Sequence, residues 1–285
     1  MIRNNPYLKT DGPLVALVTT PIGNIEDITL RALHFLQEAD IIACEDTRNT
    51  GLLLSRLKIK PKKLISLYAQ TELKESKRIV AEVKKNNLKL AYCSDAGMPG
   101  ISDPGALLVQ TCYEENVPVT ILPGPTASLS GLVLSGIDSA DFTFFGFLPT
   151  KPGQIKTFLS DVKDRKESLI FYESPKRLLK TLAIMLDVFG KDRKASVIRE
   201  LTKIHEEVIT GTLEELNQNP IEEKGECILV VEGSKENSSL SDDEIIKLIK
   251  SELKAGKSLS SISKDIATKY KLSKNAVYKL GLSIR

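Results

Sequence analysis

A strand that hands over to a helix through Ser94-Asp95-Ala96-Gly97-Met98-Pro99-Gly100-Ile101-Ser102-Asp103-Pro104-Gly105 has few folds open to it. An apolar run, 88–93, precedes these residues, and an apolar run of helical character, 106–113, follows them. Three glycines, two prolines and two aspartates in twelve residues do not pack a core. They build a stiff, bent backbone with exposed N–H and C=O groups at the carboxyl end of a strand. In open α/β sheets small ligands bind there. An elaborate turn without a ligand is the competing reading. The glycine spacing matches neither a dinucleotide fingerprint nor a P-loop.

The rest of the chain agrees with a parallel sheet. Strands are expected over 14–18, 41–44, 64–68, 89–93 and 119–122, and amphipathic helices over 28–38 and 73–86. Alternation of this kind predicts an α/β architecture. The punctuation Leu122-Pro123-Gly124-Pro125-Thr126 marks a domain junction. Beyond it strands are expected over 143–147, 169–172, 195–199 and 228–231, with helices over 155–162, 176–189 and 213–217. A polar linker over 232–241 then leads to two or three short basic helices. Within them 258–280 reads as a helical hairpin that breaks near Lys271. The expected domains are 1–123, 124–235 and a tail, 241–285; for 285 residues two main domains is the ordinary prior.

Composition excludes several classes. No apolar run approaches the ~20 residues of a membrane span, and residues 1–11 carry no signal-peptide core. Cys44, Cys93, Cys112 and Cys227 are far apart and form no C-x-x-C pair, which argues against zinc and disulfides and for a reduced, cytoplasmic setting. His34 and His205 are the only histidines, and both read as solvated. No metal is expected. The net charge of +3 hides an asymmetry, because residues 247–285 hold ten Lys or Arg against Glu252 and Asp265. Such an end fits nucleic acid or simply a soluble tail.

Four further segments sit at strand ends. Thr19-Thr20-Pro21-Ile22-Gly23-Asn24-Ile25-Glu26-Asp27 makes an open turn into the first helix, with Asp27 as the expected cap. Cys44-Glu45-Asp46-Thr47-Arg48 is either a local ion pair at a helix start or part of a pocket rim. Phe171-Tyr172-Glu173-Ser174-Pro175-Lys176-Arg177 starts a helix with proline in its first turn and offers two cations to phosphates. Arg199-Glu200-Leu201-Thr202-Lys203 either pairs internally or faces a substrate. In a parallel sheet such loops converge on one edge.

Together these segments resemble the tetrapyrrole methylase superfamily, the class III S-adenosylmethionine methyltransferases. Within it they are most similar to the bacterial branch that methylates a cytidine ribose 2′-oxygen in small-subunit (16S) ribosomal RNA. The string Asp-Ala-Gly-x-Pro-x-Ile-Ser-Asp-Pro-Gly, here 95–105, is specific to that branch; porphyrin and corrin methylases carry a shorter Gly-Gly-Asp-Pro loop. The resemblance implies two α/β domains with S-adenosylmethionine in the cleft between them, a small helical tail, a homodimer, and ribosomal RNA or the small subunit as partner. It places cofactor contacts at Pro21, Ala96, Gly97, Met98, Ile101, Thr126, Ala127, Tyr172 and Glu173. One position departs from the pattern: the family often carries His where this chain has Lys176, so a histidine base is not available there. The rival expectations are a tetrapyrrole-precursor methylase and a non-catalytic RNA-binding module on the same fold.

The residue types suit that chemistry. A carboxylate paired to a sulfonium would stabilise the ground state more than the transition state. Backbone carbonyls are milder, holding a polarised methyl through C–H···O contacts of roughly 0.5–1 kcal/mol each. A ribose hydroxyl also needs a proton acceptor, which typically adds ~10²–10⁴-fold, or alignment worth ~7–11 kcal/mol. Glu173 and Lys176 are the catalytic candidates, with Glu200 a further carboxylate. Arg48, Lys176, Arg177, Arg199 and the lysine-rich tail are the candidates for RNA contact.

Overall fold

The computed structural model describes residues 12–235, 242–254, 256–270 and 272–284. The strand β1 (Leu14–Val18) is apolar at every position and buried at every position, as a strand covered on both faces must be. Its side chains alternate between two cores. Leu14, Ala16 and Val18 join Ala32, Phe35 and Leu36 of helix α1 (Leu30–Glu38) on one face. Val15 and Leu17 join the opposite face. Thr29 starts α1 by accepting a hydrogen bond from the Ala32 amide at 3.2 Å. The expected cap Asp27 instead closes a single 3-10 turn, 25–27, whose own cap is Asn24.

The first sheet holds β1, β2 (Ile41–Cys44), β3 (Leu64–Ser66), β4 (Lys89–Cys93) and β5 (Val119–Leu122), all parallel, in the order β3-β2-β4-β1-β5. Helices α1 and α2 (Thr47–Arg56) cover one face. Helices α3 (Glu72–Asn86) and α4 (Ala106–Glu114) cover the other. Neighbouring strands β1 and β4 therefore leave the sheet toward opposite faces. That opens a crevice beyond their carboxyl ends, the usual ligand position in such sheets.

The second sheet is mixed: β6 (Phe142–Phe147), β7 (Ser168–Glu173), β8 (Lys194–Arg199), β9 (Glu207–Thr212) and β10 (Cys227–Val231), in the order β6-β7-β10-β8-β9. Only β6 and β7 run parallel. On one face pack α6 (Pro152–Val162), α7 (Pro175–Phe189) and α8 (Leu213–Gln218). On the other lies α5 (Ala127–Ser135), whose Leu132 meets Ile170, Ile198, Ile228 and Val230. Gly131 permits the approach, since a Cβ there would lie 2.9 Å from the Ile228 side chain. Ile22, from the loop after β1, is buried in this same cluster, so the first half of the chain is plugged into the second.

Strands β1, β2, β4 and β5 have the expected bounds. The differences are instructive. β3 stops at Ser66, and β9, α2 and α5 were not anticipated as full elements. The tail forms α9 (Asp242–Lys254), α10 (Leu259–Tyr270) and α11 (Lys274–Leu282) around their own core of Ile245, Ile249, Leu259, Ile262, Ile266 and Val277. The linker positions 236–241 and the break expected at Lys271 lie outside the described residues. No helix among the described residues is long and apolar enough to cross a membrane.

Candidate active site

The loops at the carboxyl tips of β1 and β4 are clipped together by backbone. Thr20 and Gly97 exchange both hydrogen bonds, at 3.0 and 3.1 Å. Thr20 Oγ1 donates to the Ser94 carbonyl at 3.3 Å, and Ser94 Oγ donates to the Gly97 carbonyl at 3.1 Å. Gly97 sits at φ +78°, where side chains are strained, and a Cβ there would crowd Ile22 at 3.3 Å. The Gly100 amide closes the rest of the loop onto the Pro104 carbonyl at 3.0 Å. Ile101 is left half-exposed on its crest.

A carboxylate from another helix anchors the loop's far end. Buried Glu72 accepts from the amides of Gly105, Leu107 and Leu108 at 2.8, 3.0 and 3.4 Å. It caps α4, which has no cap of its own, with negative charge at the positive end of the helix dipole. Asp95 ties in the third loop, accepting from the Asp46 amide at 3.2 Å and from Asn49 Nδ2 at 2.7 Å. Asp46 caps α2 and holds Arg48 in a two-point ion pair, which keeps the Asp46 carboxyl down at about 2. Arg48 itself remains almost wholly in solvent.

Asp103 stands out electrostatically. Burial, then the negative charges of Glu45 and Asp95, push its carboxyl up to about 6. Glu45 is raised by the same causes, burial first and then Asp95 and Asp46. Burial also raises the Tyr172 phenol, which a hydrogen bond with Ser128 partly offsets and the Asp103 charge reinforces. The charge of Asp103, on the first sheet's loop, thus reaches Tyr172 at the end of β7. The cleft's second wall is aromatic: Phe144 and Phe147 lie edge-on to Tyr172, with ring centres 4.8 and 5.5 Å away. Between those two phenylalanines β6 slips register through Gly146 at φ +68°, a bulge that faces Ser102 of the long loop.

The sequence-derived residues fall into two groups. Pro21, Ala96, Gly97, Met98 and Ile101 lie on the clipped loops. Thr126 and Ala127 open α5, whose first turn has no side-chain cap. Tyr172 ends β7 beside Ser128 of the same helix. The charged candidates behave differently. Glu173 is fully buried and both of its oxygens are taken. Oε1 accepts from the Ser174 amide at 2.6 Å and from Arg177, while Oε2 accepts from Thr181 Oγ1 at 2.7 Å. Arg177 continues to the carbonyls of Leu148 and Pro149. A carboxylate buried and engaged at both oxygens is held in place, so the pair locks β7 to α7 and to the end of β6. Arg199 is likewise buried and spent, on Glu207, Glu222 and the Lys224 carbonyl. Its expected partner Glu200 pairs with Lys203 instead. Of the four expected cations outside the tail, Arg48 and Lys176 are left exposed.

Sequence reasoning missed Asp103 as a titrating group, Glu45 as its neighbour and Glu72 as the loop's anchor. For Glu72 the only available signal was an acid at a helix start. The others depend on contacts between loops that spacing does not encode.

Paired clips at a switch point, with a second α/β layer closing over them, define a family. The chain belongs to the tetrapyrrole (corrin/porphyrin) methylases, whose family profile matches residues 14–217. Among curated relatives it is similar to the ribosomal RNA small subunit methyltransferase I of Streptococcus pyogenes serotype M1, 40% identical over 277 residues, covering 95% of this chain and 94% of that protein. The protein of the same name from Haemophilus influenzae is 40% identical over 279 residues, covering 95% and 96%. The shorter one from Thermotoga maritima is 42% identical over 219 residues, covering 76% of this chain and 97% of that protein. Among solved structures, diphthine synthase shares the fold at TM-score 0.59 and 16% identity, covering 77% of this chain and 90% of that one. Uroporphyrin III C-methyltransferase from Thermus thermophilus does so at TM-score 0.55 and 17% identity, covering 77% and 97%.

Proposed function

We propose that this chain is an S-adenosylmethionine-dependent methyltransferase that modifies the 2′-oxygen of a cytidine ribose in small-subunit (16S) ribosomal RNA. The observation that carries this reading is the backbone clip between Thr20 and Gly97, in a chain 40% identical over nearly its whole length to named small-subunit RNA methyltransferases. The clipped loops fit such a donor. Gly97 leaves space that a Cβ would fill, and what that Cβ would meet is the Ile22 side chain and the Pro125 carbonyl. When bound, S-adenosylmethionine supplies the electrophilic methyl. Pro21, Ala96, Gly97, Met98 and Ile101 would hold it from the first sheet, and Thr126, Ala127 and Tyr172 from the second.

What remains for the protein is to align the hydroxyl and take its proton. Glu173 serves as a positioning residue: it fixes the start of α7, and with it Lys176 and Tyr172. Lys176 is exposed and meets the RNA backbone. Asp103, raised to about 6, is the better proton acceptor, because a basic carboxylate at neutral pH is what general-base catalysis needs. Ribosomal RNA as substrate makes the cytoplasm the working compartment. The homodimer has support in α5, which buries Leu132 on its sheet yet exposes Leu129, Val133 and Leu134 on its outer side. A helix apolar all round belongs in an interior, and a second copy of this chain would supply it.

Mapping ribose methylation across ribosomal RNA, in cells with and without this protein, tests the reading. Loss of one cytidine 2′-O-methyl group is expected, restored by the wild-type chain and not by Asp103→Asn. An unchanged map, together with methyl transfer to a porphyrinogen by the purified protein, would overturn it.

A further inference from the structure

Helix α2 has two faces. Thr50 and Leu54 enter the first core. Asn49, Leu52, Leu53 and Arg56 recur at i, i+3, i+4 and i+7, so they share a second face. That face lines a cavity of about 240 Å³ together with Pro21 and Ala96 of the clipped loops and with Lys203 and Glu226. Leu52 is 56% exposed at its mouth. Arg56, also exposed, pairs with no acid among the described residues.

We propose that this cavity receives the base of the methylated nucleotide, unstacked from its RNA. The inference rests on the function proposed above and adds a binding site to it. Three observations converge. First, Pro21 and Ala96 belong both to this cavity and to the clipped loops, so an occupant lies beside the donor, where the base of the accepting ribose must go. Second, the cavity combines the apolar side chains of Ile22, Ile25, Leu52 and Leu53 with polar ones, among them the ion-paired Lys203 Nζ and Glu226 Oε2, 2.9 Å apart. A base offers two flat apolar faces and an edge carrying both acceptors and an N–H donor, the pattern such a pair can satisfy. Third, the exposed Arg56, which pairs with no acid among the described residues, and the exposed Arg48, whose charge Asp46 partly offsets, lie on the same helix within reach of the flanking phosphates.

The turn that carries Lys203 is built to stay in place. Glu200 and Thr202 both adopt positive φ, at +49° and +67°. Non-glycine residues pay for that conformation, and such strain gathers where a group must be positioned. The Thr202 hydroxyl accepts from the Asn24 amide at 3.0 Å, and Gly23 has no Cβ because one would meet Lys203 at 2.6 Å. The turn that carries Lys203 is thereby held against the loop after β1.

Leu52→Glu, on an exposed position, tests the proposal in the full-length protein. Leu73→Glu serves as a charge control, since Leu73 is 54% exposed on α3 across the sheet. Expected for Leu52→Glu is a rise in KM for RNA of about tenfold, equivalent to ~1.4 kcal/mol, with S-adenosylmethionine affinity unchanged by calorimetry. Leu73→Glu should move neither. A fluorescent cytidine analogue placed at the methylated position reads unstacking directly. Its emission should rise on binding wild-type protein and stay low with Leu52→Glu. If wild type methylates the RNA while emission stays flat, or if Leu52→Glu matches Leu73→Glu, the cavity assignment falls and the proposed function stands. If wild type methylates no RNA, both fall.

Discussion

The tips of the first sheet and the tips of the second are built on opposite plans. In the first sheet the main parts are backbone: Thr20 and Gly97 pair through main-chain groups, and Gly97, Gly100 and Gly105 set the curve. In the second sheet charged side chains do the joining, Glu173 with Arg177 and Arg199 with Glu207 and Glu222. The difference teaches that a charged residue at a strand tip is not by that fact a catalytic one. Where backbone shapes the wall, carbonyls and amides stay available to a ligand. Where ion pairs shape it, the charges have already found their partners.

The sharpest way to break this contrast is Arg177→Ala. It leaves the buried Glu173 carboxyl short of its main partner, and should cost about 3 kcal/mol of stability in denaturant unfolding. A variant with full stability and no methyl transfer would return the pair to the chemistry. Next comes Gly97→Val, which puts a branched side chain at φ +78° against Ile22. Donor affinity measured by calorimetry should fall ~100-fold, about 2.7 kcal/mol. Wild-type affinity would show that the clip is not the donor site.

Asp103→Asn gives a smaller effect with a definite pH signature. Because the folded carboxyl titrates near 6, above its ordinary value, the folded state binds the proton more tightly than the unfolded chain. That contribution is fully present below about pH 4 and is lost as pH rises through 6. The asparagine variant should therefore match wild type at pH 4 and exceed it by about 1 kcal/mol at pH 7, a value discounted because Asp103 is only partly shielded from water. A constant difference across that range would mean that neither burial nor the charges of Glu45 and Asp95 raise its carboxyl. The smallest effect belongs to Arg48→Ala. Stability should stay within about 0.5 kcal/mol, while the slope of log affinity for RNA against log salt loses roughly one unit.

Much of this was legible beforehand, for a physical reason. β1 is an unbroken apolar run, and β4 is one after Lys89, because both faces are covered, and α7 shows its period because only one face is. The loop at 94–105 announced itself through glycine and proline. β9 stayed hidden because Glu207-Val208-Ile209-Thr210-Gly211-Thr212 is an edge strand, largely exposed and without an apolar stripe. α5 stayed hidden for the reverse reason, being apolar on every side and carrying Gly131. At the candidate site, the open turns that hold Pro21, Ala96 and Gly97 could be read from their own segments. The engagement of Glu173 with Thr181 and the crowding of Asp103 by Glu45 could not, since each depends on partners that only the folded chain brings near.

Ile22 leaves one mark on how the whole molecule behaves. A rivet driven from one half into the other denies the halves any free hinge: prising them apart would drag an oily side chain through water. Traffic into the crevice must therefore pass along its flanks, and heating should melt both halves as a single event.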